Sequence, residues 1–165
     1  MTTITEKQLL SRIRTCLIIF MILLILSGIT AFPIETELRW LKGYAEVFPA
    51  WYRQWLLHIH EAVSVTNARY PMLSYGTDWL AFAHLVIAVA FIGPLRDPVR
   101  NIWIIHFGMI ACCMVLPLAF IAGSIRHIPL FWQCIDCSFG LLGLLPLALC
   151  RRYTKELAFR KQQWY

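Results

Sequence analysis

The chain has 165 residues, of which 59% are hydrophobic and 15% charged, whereas a soluble globular domain has roughly 45–50% apolar and 25% charged residues. Four apolar stretches approach the length of a bilayer crossing, so the composition excludes an ordinary water-soluble protein and predicts an all-α, integral membrane four-helix bundle. The formal net charge of +6 does not indicate a nucleic-acid partner here, because the basic residues lie near the ends of the apolar stretches.

The apolar stretches predict four spans within a single membrane domain that covers the whole chain. They are residues 15–32, 77–95, 98–122 and 129–150. Ten Lys and Arg residues lie on the side of the two termini and five on the opposite side. The positive-inside rule therefore predicts a multi-pass protein of the cell membrane with both termini cytoplasmic. The basic tail, residues 151–165, is expected to lie on anionic lipid headgroups.

Capping signals predict where the later spans begin. Thr77 or Asp78 is a candidate N-cap for the second span, because both side chains accept hydrogen bonds from helix N–H groups. Asp97 followed by Pro98 is a candidate N-cap of the third span, with proline at the first helical position. Pro129 likewise predicts the start of the fourth span. The sequence therefore predicts helix starts at these three points.

The connection between the first and second spans, residues 33–76, is too long for a simple turn and is predicted to be a structured lid on the extracytoplasmic side. Short helices are expected over residues 36–42 and 49–66. In the longer one, the 100-degree steps of a helix separate two faces and predict an interfacial amphipathic helix. The apolar face has Trp51, Trp55, His58, Ala62 and Val65, and the polar face has Arg53, His60, Ser64 and Asn67. We expect His58 to point down into the protein and His60 to face water.

Two ionisable residues within the apolar spans are candidate ligand-binding groups. His84 shares a stripe with Ala81 and Ala88, and Asp136 shares one with two glycines, Gly140 and Gly143. Small residues allow helices to approach closely in lipid, so both stripes are expected to face the interior. Each residue lies about 10 Å below the outer end of its predicted span, at 1.5 Å per residue. An ionisable group at that depth is a functional-site hypothesis, and we expect His84 and Asp136, with His58 above them, to line one outward-facing pocket.

Cys134-Ile135-Asp136-Cys137 is a C-x-x-C motif at the start of the fourth span, and such a pair can cycle between dithiol and disulfide. With four spans and an outer lid helix, this layout is similar to that of vitamin K epoxide reductases and bacterial disulfide-generating quinone reductases. The resemblance implies a thiol and quinone oxidoreductase with Cys134 and Cys137 as catalytic residues. Those families also use a second cysteine pair in an outer loop, and residues 33–76 contain no cysteine.

Other interpretations of the pocket stay open at this point. His84 and Asp136 can form a purely structural pair, a histidine can bind haem b as an axial ligand, and the two residues with the cysteines can bind zinc or copper, although no dedicated metal site is expected. No nucleotide-binding or hydrolase motif is present. The function predicted from sequence is therefore a non-catalytic or accessory membrane protein whose pocket holds a small hydrophobic ligand or cofactor, such as a quinone or haem b. A membrane-protein partner or a second copy of the chain is a further expectation, and the sequence assigns no role to His106 or to the Cys112-Cys113 pair.

Overall fold

The structure, a computed structural model, describes the backbone of residues 5–162 and the side chains of residues 5–160. Within these residues the secondary structure consists of helices and short connections, with no strand, which confirms the all-α prediction. A 3-10 turn, Ala45–Val47, precedes the third α-helix. The α-helices are α1 (Glu6–Ala31), α2 (Ile34–Gly43), α3 (Ala50–Arg69), α4 (Pro71–Ala90), α5 (Ile92–Arg96), α6 (Ile102–Ile125) and α7 (Leu130–Gln162). Residues 163–165 of the predicted basic tail lie outside the described residues.

Four stretches of helix are long and apolar enough to cross a membrane, namely α1, α4 continued by α5, α6, and α7. Between 22% and 33% of each apolar stretch is buried inside the protein. The remaining apolar surface needs a non-aqueous environment, because contiguous exposed apolar patches of this size do not occur on soluble monomers. The chain is therefore a multi-pass membrane protein, as the composition predicts.

The residues divide into two compact units. The first, which we call the bundle unit, contains the chain up to Leu23 and from Ala88 onward, and the second, which we call the lid unit, contains Leu24–Ile87. Helices α1 and α4 contribute residues to both units, so that the lid unit consists of the end of α1, all of α2 and α3, and most of α4.

Small residues bring α6 and α7 close together in the bundle unit. A Cβ atom added at Gly140 would lie 2.7 Å from the carbonyl oxygen of Cys112, and one added at Gly143 would lie 2.9 Å from Cys112 Sγ. Both positions therefore face a neighbouring helix, as their stripe predicts. The same side of α7 stays buried further along, at intervals of three and four residues that are typical of packed membrane helices. These buried residues are Leu147, Cys150, Thr154 and Leu157.

Helix α6 begins later than the sequence predicts. Asp97 does not cap it, because Asp97 Oδ1 accepts a hydrogen bond from the N–H group of Arg100 (3.0 Å) within a separate turn. Asn101 Nδ2 closes that turn by donating to the carbonyl oxygens of Gly93 (3.2 Å) and Asp97 (2.9 Å). The helix starts only after this turn, at Ile102. The predicted start of the third span was therefore wrong by about one helical turn.

Prolines stand at the starts of α4 and α7. Pro129 directly precedes α7, and its carbonyl oxygen accepts the first helical hydrogen bonds, as predicted. Helix α4, however, begins at Pro71, where the fixed φ of proline suits the first helical position. Thr77 and Asp78 consequently lie inside the helix, and the prediction that one of them caps it was wrong.

Helices α2 and α3 correspond to the two helices predicted in the lid, but several residues of the predicted polar face of α3 are more buried than expected. The residue of α3 that is fully buried is Leu56, and His58 on the predicted inward face is exposed whereas His60 is half-buried. The carboxylates of the neighbouring segments explain this burial, because the polar side chains of α3 bind them. Arg53, for example, donates to Glu46 Oε2 of the 3-10 turn (2.5 Å).

Candidate functional site

His84 and Asp136, the two residues expected to face each other, belong to different units. His84 lies in the lid unit, where its side chain adjoins α1: a Cβ atom added at Gly28 would lie 3.0 Å from the Cβ of His84 and 2.8 Å from the carbonyl oxygen of Ala81. Its Nδ1 lies 2.7 Å from the carbonyl oxygen of Leu80 on the same helix. A hydrogen bond there requires the proton on Nδ1, which then donates to this carbonyl oxygen. The pairing of His84 with Asp136 stays a prediction.

Asp136 lies in the bundle unit, in a groove of about 290 Å³ between α6 and α7. The groove is largely apolar and also includes Arg126 at the end of α6. Next to it, buried Gln133 donates through Nε2 to the carbonyl oxygen of Ile128 (2.7 Å) and packs against Gly123. Gln133 therefore stabilises the turn between α6 and α7, a structural role that the sequence pattern did not predict.

The two cysteines of the C-x-x-C motif have different environments on the continuous helix α7. Both are free, Cys134 is exposed and Cys137 is buried. Of the other pair without an assigned role, Cys112 packs against Gly143 and Cys113 is exposed. One thiol of the motif, that of Cys134, thus lies at the surface of the protein, and the oxidoreductase interpretation stays a prediction.

Of two further histidines, His106 has a hydrogen-bond partner and His58 is exposed. His106 Nε2 accepts a hydrogen bond from Arg151 Nε (3.1 Å), so this nitrogen already has a partner within the bundle unit. His58 is exposed, and its ring centroid lies 6.0 Å from that of Trp55. Among the residues with described side chains, no three His, Cys, Asp or Glu residues come together in a way that could hold a metal ion.

A cavity of about 540 Å³ in the lid unit is lined by none of the predicted site residues. We call it the lid cavity. It lies among the end of α1, the start of α2, the second half of α3 and the first half of α4. We call its apolar lining residues the apolar wall and its polar lining residues the polar wall. The apolar wall is formed by Ala31, Phe32, Pro33, Ile34, Ala62, Val63 and Leu73, and the polar wall by Glu35, Thr36, Thr66, Asn67, Ser74, Thr77 and Asp78.

Glu35 is the centre of a hydrogen-bond network on the polar wall. Asn67 Nδ2 donates to Glu35 Oε2 (2.5 Å), while Ser64 Oγ (3.4 Å) and Arg39 Nη2 (3.2 Å) donate to Oε1. Asn67 in turn accepts a hydrogen bond from Ser74 of α4, so the network links three helices. The hydrogen bond from Asn67 is the main cause that lowers the pKa of Glu35, and Arg39 adds to it. Glu35 is therefore ionised at neutral pH and already has partners for both oxygens.

Asp78 is the second carboxylate of the polar wall, and its situation differs from that of Glu35. It is half-buried, and within the described part of the chain its carboxylate has neither a hydrogen bond nor an ion pair. It also borders a second hollow of about 250 Å³, whose other walls are four aromatic rings. We call this hollow the aromatic recess; its rings belong to Phe32, Tyr75, Trp79 and Phe82.

Sequence reasoning missed this site for a physical reason. Ser64 and Asn67 were placed together on the polar face of α3, which is a local pattern. Their partner Glu35 lies 29 and 32 positions away, and no local periodicity connects residues so far apart. Asp78 was interpreted as a helix cap because it follows Thr77 at the predicted edge of the span.

No family model, no curated protein and no solved structure matches this chain.

Proposed function

We propose that this membrane protein binds a small amphiphilic molecule in the lid cavity and performs no chemistry on it. The lid cavity itself carries the proposal. Its volume of about 540 Å³ falls within the range of roughly 300–1,000 Å³ that is typical of small-molecule sites. A lining with both apolar and polar side chains suits a molecule with an apolar part and a polar end.

The lining of the cavity favours binding over catalysis. General acid–base and nucleophilic catalysis require a nucleophile or base whose reactive atom is available to a substrate. The described lining contains no His, Cys or Lys, and the Glu35 carboxylate is occupied by Asn67, Ser64 and Arg39. Asp78 has an available carboxylate, but the described lining provides no histidine or cysteine that could form a catalytic pair with it. These polar groups are arranged to hold a ligand and to fix α2, α3 and α4 around it.

This proposal keeps the binding role predicted from the sequence and moves its site. The predicted pocket consisted of His84, Asp136 and His58, whereas the lid cavity is built from residues 31–36, 62–67 and 73–78. We further propose that the whole chain is one membrane domain in the cell membrane, with residues 33–76 on the extracytoplasmic side, because basic residues are twice as frequent on the side of the termini. Anionic lipid at the basic tail, and a partner protein or second copy, remain parts of the proposal.

A matched pair of substitutions on α3 tests the binding role. Val63 lines the lid cavity, and Val65, two residues further on, is 53% exposed on the other side of the helix. The full chain is purified in a neutral detergent, and small molecules that remain bound are extracted and quantified by mass spectrometry. We expect Val63→Trp to reduce retention at least about tenfold, since a difference of 1.4 kcal/mol in binding corresponds to a factor of ten.

The control variant, Val65→Trp, should retain as much as the unmodified chain. Circular dichroism and size-exclusion chromatography of both variants check that they fold alike. Equal retention by the two variants, or no retained molecule in the unmodified chain under any purification condition, would contradict the proposed function.

A further inference from the structure

We infer that the ligand of the lid cavity carries an ammonium group, and that Asp78 and the aromatic recess bind this group. The inference rests on the proposed function and specifies the chemical class of the ligand. The ammonium head would lie between the Asp78 carboxylate and the aromatic rings, and the apolar part of the molecule would extend along the apolar wall of the lid cavity.

Helix geometry places the recess residues together. Tyr75, Asp78, Trp79 and Phe82 follow each other at intervals of three, one and three residues, so they share one face of α4. Phe32, just after α1, completes the recess from a different segment. Asp78 and Phe32 line both the recess and the lid cavity, so the two hollows meet at these residues.

The aromatic rings are arranged in a way that suits a cation. The Trp79 ring is perpendicular to the ring of Tyr75 (centroids 6.1 Å apart, 85°) and to that of Phe82 (6.2 Å, 88°). Trp79 is 58% exposed, so much of its surface is open to a ligand. The faces of tryptophan, tyrosine and phenylalanine attract ammonium groups, and tryptophan does so most strongly.

The charges around the two hollows point to the same ligand class. Neither lining contains a Lys, Arg or His residue. Glu35, the other carboxylate, forms an ion pair with Arg39 (3.2 Å), so its charge is compensated by the protein. Asp78 supplies the uncompensated negative charge of the described lining, which attracts a cation and repels an anion.

An ammonium group on an apolar chain can come from two sources. One is a free amphiphilic amine or quaternary ammonium compound, and the other is the headgroup of a zwitterionic phospholipid. The chemistry recognised is the same in both cases, so the test begins with a soluble probe and then varies the lipid.

The probe experiment compares three six-carbon compounds that differ in head charge: hexyltrimethylammonium, hexanesulfonate and 1-hexanol. Binding of each to the full chain in a neutral sugar detergent is measured by isothermal titration calorimetry. We expect the cation to bind at least about tenfold more tightly than the other two, and Asp78→Asn to remove most of that advantage while leaving 1-hexanol binding unchanged.

Three further variants show whether the effect belongs to the recess. Asp78→Glu keeps the charge and should retain part of the preference for the cation. Trp79→Leu should weaken cation binding about threefold or more, because it removes the strongest cation–π partner. Glu61→Gln removes an exposed carboxylate of α3 that lines neither hollow and should change nothing.

The source of the ammonium group is distinguished by repeating the titration in nanodiscs of phosphatidylcholine and of phosphatidylglycerol. Weaker probe binding in phosphatidylcholine alone would identify the lipid headgroup as the competing ligand, and equal binding in both lipids would identify a free cation; either result supports the inference.

Equal binding of all three probes, with Val63→Trp still abolishing it, would overturn the ammonium assignment and leave the proposed function standing. No binding of any probe, together with equal ligand retention by Val63→Trp and Val65→Trp, would overturn both.

Discussion

The bundle unit and the lid unit are held together by different interactions. In the bundle unit, α6 and α7 approach through glycine positions such as Gly140, and a buried polar side chain, Gln133, is satisfied within its own turn. In the lid unit, α1 and α4 also approach closely at Gly28, but hydrogen bonds from Asn67 and Ser74 connect α2, α3 and α4 around a cavity. The difference indicates that close helix packing stabilises the bundle unit, whereas polar contacts in the lid unit hold its helices around an open cavity.

The largest effect on stability is expected at Gly140, because α6 and α7 approach each other closely there. An added methyl group would lie 2.7 Å from the carbonyl oxygen of Cys112, which is backbone and cannot swing aside. We expect Gly140→Ala to lower the free energy of unfolding by about 1–3 kcal/mol, measured by unfolding in mixed micelles.

Gly76 in the lid unit provides the matched control, since a Cβ atom there meets nothing within 4 Å. Gly76→Ala should leave stability unchanged or raise it by up to about 1 kcal/mol, because alanine is the better helix former. If both substitutions had the same effect, close packing would not be what distinguishes the bundle unit.

A smaller effect on stability is expected when low pH protonates the carboxylate network of the lid unit. The pKa of Glu35 is lowered, chiefly by the hydrogen bond from Asn67. Its ionised form therefore stabilises the lid unit above the unfolded pKa of about 4.3, and this contribution is lost as the pH falls through the lower folded value. Asn67→Ala should raise the pKa of Glu35 toward its ordinary value, as measured by carbon-13 NMR of the labelled carboxyl group.

Ser64→Ala is the control for this prediction. The Ser64 hydrogen bond is the longest of the three at 3.4 Å and the weakest cause of the pKa shift, so its removal should move the pKa less. An Asn67→Ala variant whose Glu35 titrates as in the unmodified chain would show that the network does not hold the carboxylate.

The smallest effect on ligand retention is expected from oxidising conditions, which test whether the C-x-x-C motif forms a disulfide. Cys134 is exposed and Cys137 is buried, so a maleimide should label Cys134 rapidly and Cys137 only after unfolding. Thiol titration under oxidising conditions should find both thiols free, and ligand retention should not change. A disulfide between them, or a haem absorption band in the visible spectrum of the purified chain, would instead support the redox alternatives.

The sequence predicted the parts of the fold that depend on local patterns. Four apolar spans, the helices α2 and α3, the proline before α7 and the inward-facing Gly140 and Gly143 all follow from composition and periodicity. Errors arose where a local signal had two meanings. Asp97 caps a turn and not α6, and the second span begins at Pro71, so Asp78 is a wall of the cavity and not a helix cap.

The candidate site was largely invisible to sequence reasoning. Which polar residues of α3 are buried is decided by carboxylates on other segments, and Glu35 reaches Asn67 across 32 positions. His84 and Asp136 attracted attention because ionisable groups in apolar spans are conspicuous. A polar network centred on α2 and α3, outside the apolar spans, has no comparable signature, since polar residues are ordinary in such segments.

The central claim is that the ligand lies in the lid cavity and not in the groove beside Asp136. Retention of the co-purified small molecule tests this most directly when two space-filling variants are compared, Val63→Trp in the lid cavity and Ala122→Trp in the α6–α7 groove. Loss of the molecule from Val63→Trp with full retention by Ala122→Trp is the result that we predict. Full retention by Val63→Trp with loss from Ala122→Trp would contradict the account and place the site in the bundle unit.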